Sequence, residues 1–254
     1  MKSMIVWGVC TLFMVAAGMS KYSAASQSGQ SMNVLISKMP RIFQSLFGVG
    51  TFDLSTAFGF YCVLFVYLVM IVTIHASLLG AIIISKEERE KTSEFLYVKP
   101  ITRNFILTKK IQASFVVILV LNLICLLSSL GFVQYFAKEA IDVGMIVKMM
   151  GGMLLLQWLF FTIGLFCSAV AKKPKTPPAL ASGVLLFSFL LYQLIMLDKR
   201  LDWMRVLTPY AYFNAANITS AEGVPIIYFI ITAFFMVSLT IGSYKLYQKR
   251  DISF

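Results

Sequence analysis

The chain has 254 residues, 59% of them hydrophobic and only 13% charged. That balance excludes a disordered tail, which needs low hydrophobicity and high charge, and it is far from an ordinary soluble domain. The net charge of +11 would suit nucleic acid, but the cations follow the connections between apolar runs, as they do in membrane proteins, and no nucleic-acid partner is implied.

Six uncharged intervals run from Ser3 to Ser20, Leu54 to Ser85, Ile111 to Ala137, Met149 to Ala171, Thr176 to Leu197 and Gly223 to Tyr244. A helix needs roughly 20 mainly apolar residues to cross a bilayer. One central Asp, Lys or Arg would cost a span about 2.5–3.5 kcal/mol, and none of the six carries one. Alternation with period two is absent, which argues against a transmembrane barrel. The reading is an all-α membrane protein, a single membrane domain over 1–254. Its six spans are placed at about 3–20, 57–85, 111–136, 149–171, 179–197 and 224–244. All seven prolines lie in connections or at span edges, as their missing N–H requires.

In chain order, span 1 lacks a basic leader and a small-x-small cleavage site and is read as retained. Between spans 1 and 2, Val34, Leu35, Met39, Ile42, Phe43 and Leu46 recur at helical spacing, as in an interfacial amphipathic helix stopped by Gly48 and Gly50. Span 2 exceeds the thickness of the hydrocarbon core and is expected to tilt or protrude. A short link around Lys138 to Asp142 joins spans 3 and 4, and KKPKTPP, Lys172 to Pro178, makes a tight turn before span 5. Asp198 to Glu222 carries Trp203, Tyr210, Tyr212 and Phe213, aromatic residues suited to the membrane interface; a partial return into the bilayer stays open.

Fourteen of the cations (Lys2, the seven from Lys86 to Lys110, Lys172, Lys173, Lys175, Lys245, Lys249 and Arg250) fall in one set of loops. Seven (Lys21, Lys38, Arg41, Lys138, Lys199, Arg200 and Arg205) fall in the other, with Lys148 at a span end. The positive-inside rule then puts both termini of this multi-pass membrane protein in the cytoplasm.

The densest charge lies between spans 2 and 3, in SKEEREKTSEFLYVKPITRNFILTKK, Ser85 to Lys110. Glu87 and Lys91, and Glu90 and Glu94, are four apart and share helical faces. Phe95, Leu96 and Val98 supply an apolar side, and Pro100 ends the helix near Lys99. Such a segment is either a solvated connector, its ion pairs worth tenths of a kcal/mol each, or a docking surface for a soluble partner.

The string formed by Glu88, Thr92, Glu94, Phe95, Leu96, Pro100, Ile101 and Arg103, followed by Lys109 and Lys110, resembles the first cytoplasmic loop of ABC type-2 exporter permeases. LTPYAYF (Leu207 to Phe213), YQKRDI (Tyr247 to Ile252) and KKPKTPPAL (Lys172 to Leu180) resemble three further parts of that family, in the right order. Lys91 stands where the family often has glycine, and the first cytoplasmic segment is shorter than usual. The resemblance implies a transport subunit paired with a second permease chain in a homodimer, with two copies of a separate ABC ATPase. A coupling helix would receive the motion of that ATPase through Glu87, Glu88, Arg89, Thr92, Glu94, Phe95, Pro100 and Arg103. The chain has no GxxxxGK[ST] phosphate loop, so ATP and Mg belong to the partner and this chain binds no cofactor.

No Ser/His/Asp, HExxH or paired-carboxylate arrangement occupies the spans, so no catalytic residue is expected. The four cysteines, one per span in four spans, form no metal or disulfide pattern. His75, alone among the side chains of span 2 in being ionisable near neutrality, is a functional candidate by position; a neutral imidazole bonded to a neighbouring helix is the more economical reading. Asn122, Gln157 and Gln193 read as interhelical polar contacts, and Gly80, Gly151, Gly152 and Gly164 as close-packing positions.

Spans 1, 2 and 5 usually line the dimer interface in the family. The resemblance therefore makes Phe58, Tyr61, Phe65 and Tyr192 candidates for the translocation path, with neighbour or lipid packing the plain alternative. Phe- and Met-rich apolar surface would suit amphipathic or hydrophobic peptides, while apolar drugs, lipids and ions stay open. A non-transporting scaffold or sensor that recruits a soluble partner is the alternative from another class.

Overall fold

The computed structural model describes residues 2–27, 40, 44, 52–86, 102–137, 141–171, 173 and 175–249. Among the described residues there are six long helices: α1 Lys2–Gln27, α2 Ala57–Ile82, α3 Arg103–Phe136, α4 Val143–Val170, α5 Pro177–Leu197 and α8 Ile226–Lys249. Each is long and apolar enough to cross a membrane. The all-α, six-span reading is borne out. Between α5 and α8 lie a 3-10 helix, Lys199–Leu207, and two short helices, α6 Pro209–Tyr212 and α7 Ala215–Thr219.

The helix limits have local causes. Pro177 and Pro178 occupy the first turn of α5, where no intrahelical N–H bond is lost. Thr176 closes the preceding turn, its hydroxyl donating to the Lys173 carbonyl at 2.9 Å. The Asp142 carboxylate accepts from the Gly144 amide at 2.8 Å at the start of α4, and Asp198 accepts from the Arg200 amide at 2.9 Å at the start of the 3-10 helix. Small polar side chains thus satisfy helix-start amides that have no partner within the helix.

The chain falls into two compact units. Residues 1–72, 121–153 and 188–225 form the first. Here the backbone of α1 approaches the side chains of Ile124 at Gly8 and Leu64 at Gly18, and the Tyr22 hydroxyl donates to the Ser55 carbonyl at 3.1 Å. The Tyr61 hydroxyl donates to Ser129 Oγ at 2.8 Å, and Asn122 Nδ2 donates to the Met150 carbonyl at 3.2 Å, the interhelical contact expected of that asparagine. Gly152 admits Phe213 and Ile218. Thr208 donates to the Ser188 carbonyl at 2.8 Å.

One expectation for this unit needs correcting. Of the four aromatic residues between spans 5 and 6, only Trp203 is exposed, at 72%; Tyr210, Tyr212 and Phe213 are buried. The Tyr210 ring packs edge-on against Phe189, and the Tyr212 hydroxyl donates to the Val206 carbonyl. The turn from the 3-10 helix into α6 folds these rings inward, so they serve the core and leave Trp203 alone suited to an interface.

Residues 73–120, 154–187 and 226–254 form the second unit. Its core gathers Ala76, Ile83, Ile84, Leu107, Ile118, Phe161, Leu165, Ala169 and Tyr247. Trp158 stacks on Phe161 at 4.9 Å between ring centres and meets Phe115 edge-on at 5.1 Å. α2 and α4 touch backbone to backbone: a Cβ on Gly80 would collide with the Phe161 carbonyl, and one on Gly164 with the Ser77 carbonyl. Small residues at such crossings let helices approach closely where lipid offers no hydrophobic incentive to associate.

Candidate coupling site

The charged segment singled out by the sequence leaves α2 and returns into α3. Glu87, Glu88, Arg89, Thr92, Glu94, Phe95 and Pro100 lie outside the described residues, and so does the helix expected there; Arg103 is the one member of that set whose position is described. The amphipathic segment at 31–47 also lies outside them, apart from Pro40 and Gln44. What the structure does describe is the frame into which the charged segment is set.

α2 ends at Ile82, leaving its last carbonyls without helical partners. Lys110, in the second turn of α3, reaches across and donates from Nζ to the Ile83 carbonyl at 2.8 Å. α3 opens at Arg103 with Thr102 before it, whose hydroxyl accepts from the Phe105 amide at 3.3 Å. Arg103 Nη1 donates to the Gln248 carbonyl at 3.3 Å, in the last turn of α8. Two cations near the start of α3 therefore satisfy carbonyls at the ends of two other helices. A cation there meets the negative end of the helix dipole, worth roughly 0.3–1 kcal/mol at a surface position.

Further bonds fix α3 to α8. Gln248 Nε2 donates to Asn104 Oδ1 at 2.9 Å, and the hydroxyls of Thr108 and Tyr244 lie 2.7 Å apart. Under them Tyr247 is buried, packed with Leu107, Ile83 and Ile84. Asn104, Thr108, Tyr244 and Tyr247–Gln248 follow one another at helical spacing, so each set faces the other helix. Lys109 points elsewhere, over the ring of Phe105 and toward Gln112.

Sequence reading reached part of this site. The likeness of YQKRDI marks Tyr247 and Gln248, and the family string ends on the basic pair Lys109–Lys110. Asn104, Thr108 and Tyr244 carried no signal, because nothing in a linear pattern pairs residue 104 with 248.

A family model described as ABC-2 family transporter protein matches residues 1–252. The chain belongs to that family. A comparison with curated proteins gave no significant match. As a member of the ABC-2 family with six apolar helices, the chain is a multi-pass membrane protein and the transmembrane subunit type of an ABC transporter.

For this ABC-2 protein the four candidate path residues sit differently from one another. Tyr61 and Phe65 are buried at 0% and 1% exposure, and Tyr192 is also buried, while Phe58 is half-buried. Tyr61 spends its hydroxyl on Ser129, and Tyr192 packs against Tyr210. Exposed apolar residues lie on α1 (Val9, Phe13), α3 (Val116, Leu127), α4 (Val147, Val170), α5 (Phe187, Leu190) and α8 (Ile226, Phe234). His75 is buried, as are Gln157 and Gln193. Among the described residues no group of His, Cys, Asp and Glu is arranged to hold a metal.

Proposed function

We propose that the chain is the permease half of an ATP-driven exporter in the plasma membrane, with both termini in the cytoplasm. It works with a second copy of itself and two ATPase chains, and moves amphipathic or hydrophobic peptides outward. The observation that carries this reading is the family match over 1–252 on residues that contain no phosphate loop. Nucleotide chemistry then falls to an ATPase outside these residues, and ATP and Mg bind there. Energy enters through the charged segment between α2 and α3. Three facts support that entry point: its mixed charge, its likeness to the family string, and the anchoring of both flanks by Lys110 and Arg103. The peptide assignment is supported by an apolar surface in a chain with 22 Phe and 14 Met, of which Phe58 is the least enclosed of the proposed lining residues.

Reversing two charges tests the entry point. Glu88→Lys with Glu94→Lys should leave the chain inserted at normal yield while ATP hydrolysis by the co-purified complex falls severalfold. The conservative pair Glu88→Gln with Glu94→Gln should fall less. Hydrolysis at the intact level in the reversed variant would remove the segment from the coupling route. Binding of an ATPase-free soluble protein in its place would favour a scaffold or sensor.

A further inference from the structure

Within the second unit, the pairs Thr108–Tyr244 and Asn104–Gln248 fix how α3 and α8 lie side by side. Four residues back on α3 matches four residues forward on α8, so the two helices run antiparallel. Both are right-handed with 3.6 residues per turn, so one step past each facing residue turns toward the same side of the pair. Lys109 and Lys245, one step past Thr108 and Tyr244, therefore share a side and a level. Phe105 and Lys249 share that side one turn nearer the helix ends. Val116 and Ile241 continue it in the other direction, and all six residues are exposed. Lys110 turns away and reaches the Ile83 carbonyl.

The level of this face has a meaning in a membrane. Lys109 stands just before the uncharged run that opens at Ile111, and Lys245 just after the one that closes at Tyr244. Cations there sit among headgroups, with apolar side chains such as Val116 and Ile241 beside the acyl chains. No Asp or Glu occurs among the described residues of this unit; Glu87, Glu88, Glu90, Glu94 and Asp251 lie outside them. Lys109 leans over the Phe105 ring and donates to Gln112 Oε1 at 3.3 Å, and neither partner is an anion. Like charges gathered on one face repel, and an anion placed between them relieves that repulsion.

We propose that this side of the α3–α8 pair binds the headgroup of an anionic phospholipid, its phosphate held between the ammonium groups of Lys109 and Lys245 and approached by Lys249. Helices in contact lie roughly 8–10 Å apart between axes, a gap that two lysine side chains can close from either flank onto one phosphate. The seam beneath supplies shape and no donor. Thr108 donates to the Asn104 carbonyl at 2.9 Å, so the Tyr244 hydroxyl donates to Thr108 and both protons are used. Binding therefore rests on the lysines and on acyl-chain contact with Val116 and Ile241, and it stands independently of the coupling reading.

The test uses the full chain in mild detergent, titrated with fluorescent phosphatidylglycerol and, separately, with phosphatidylcholine carrying the same chains and label. The intact chain should prefer phosphatidylglycerol. Lys109→Gln with Lys245→Gln should weaken phosphatidylglycerol binding about tenfold, each lysine near a headgroup being worth several-fold, and leave phosphatidylcholine binding unchanged. Lys173→Gln with Lys175→Gln removes the same charge from exposed positions on another connection and should leave the preference intact. Lys109→Arg with Lys245→Arg should retain it. Should the glutamine pair fold poorly, Lys245→Gln set against Lys175→Gln carries the same comparison. Equal losses from the two glutamine pairs would reduce the site to diffuse positive charge and overturn the proposal, as would equal binding of the two lipids by the intact chain. Displacement of phosphatidylglycerol by inorganic phosphate at matching concentration would make the ligand a soluble phosphate and overturn the lipid assignment. Efficient disulfide cross-linking between two copies carrying Lys245→Cys, in a background with Cys10→Ser, would make a second copy the occupant and overturn it equally.

Discussion

At the scale of single residues, glycine and aromatic positions separate packing from transport. Gly80 and Gly164 face backbone atoms of the opposing helix, which cannot swing aside as a flexible side chain does. Alanine at either position must push α2 and α4 apart, a strain of about 1–3 kcal/mol. Gly131 and Gly183 have nothing near where a Cβ would stand. Gly80→Ala and Gly164→Ala should therefore lower the melting temperature and folded yield in detergent, whereas Gly131→Ala and Gly183→Ala should be neutral or slightly stabilising through helix propensity. Equal melting temperatures for all four would refute the close crossing. The path candidates divide in the same manner. Phe65 is fully enclosed, and Phe65→Ala leaves a cavity costing about 3–5 kcal/mol, so yield and transport should fall together. Phe58→Ala removes a half-buried ring and should change substrate preference at near-normal yield. Comparing export with folded yield for the two variants distinguishes these outcomes.

At the scale of elements, the six long helices were legible because uncharged runs of that length have few other fates. Their limits were less so. The apolar run of span 3 starts at Ile111, yet α3 starts at Arg103, since Arg103, Lys109 and Lys110 favour helix well enough and find carbonyl, side-chain or ring partners beyond the apolar run. Span 1 likewise continues to Gln27 and the last helix to Lys249; hydropathy registers the membrane, and a helix does not stop at its surface. Prolines fixed the start of α5 closely. The inward turn of Tyr210, Tyr212 and Phe213 escaped sequence reading, because aromatic composition is the same for an interface and for a core. The loop assignments carry their own prediction. With an even number of spans both termini share a side, and the proposed orientation, with that side in the cytoplasm, rests on the excess of Lys and Arg in the loops that include Lys86–Lys110. A cysteine introduced at Gln27 should label with an impermeant thiol reagent in intact cells, and one at Thr92 only after lysis. Labelling at Thr92 from outside would invert the topology.

At the scale of the whole molecule, the coupling frame was half visible beforehand. The charged string pointed to the loop, but the fastening of three helix ends by Lys110, Arg103 and the Tyr244–Thr108 pair depends on distant parts of the chain meeting. That fastening ties the end of α2 to the start of α3, and the start of α3 to the end of α8. The proposed coupling further requires a source of force that these residues do not contain. The most direct measurement is the composition of the complex obtained when the chain is affinity-purified from its native membrane in mild detergent. The account predicts an ABC ATPase in equal molar amount, hydrolysing ATP in the eluate. Purification of the folded chain without any ATPase, under conditions that preserve its oligomer, would contradict it.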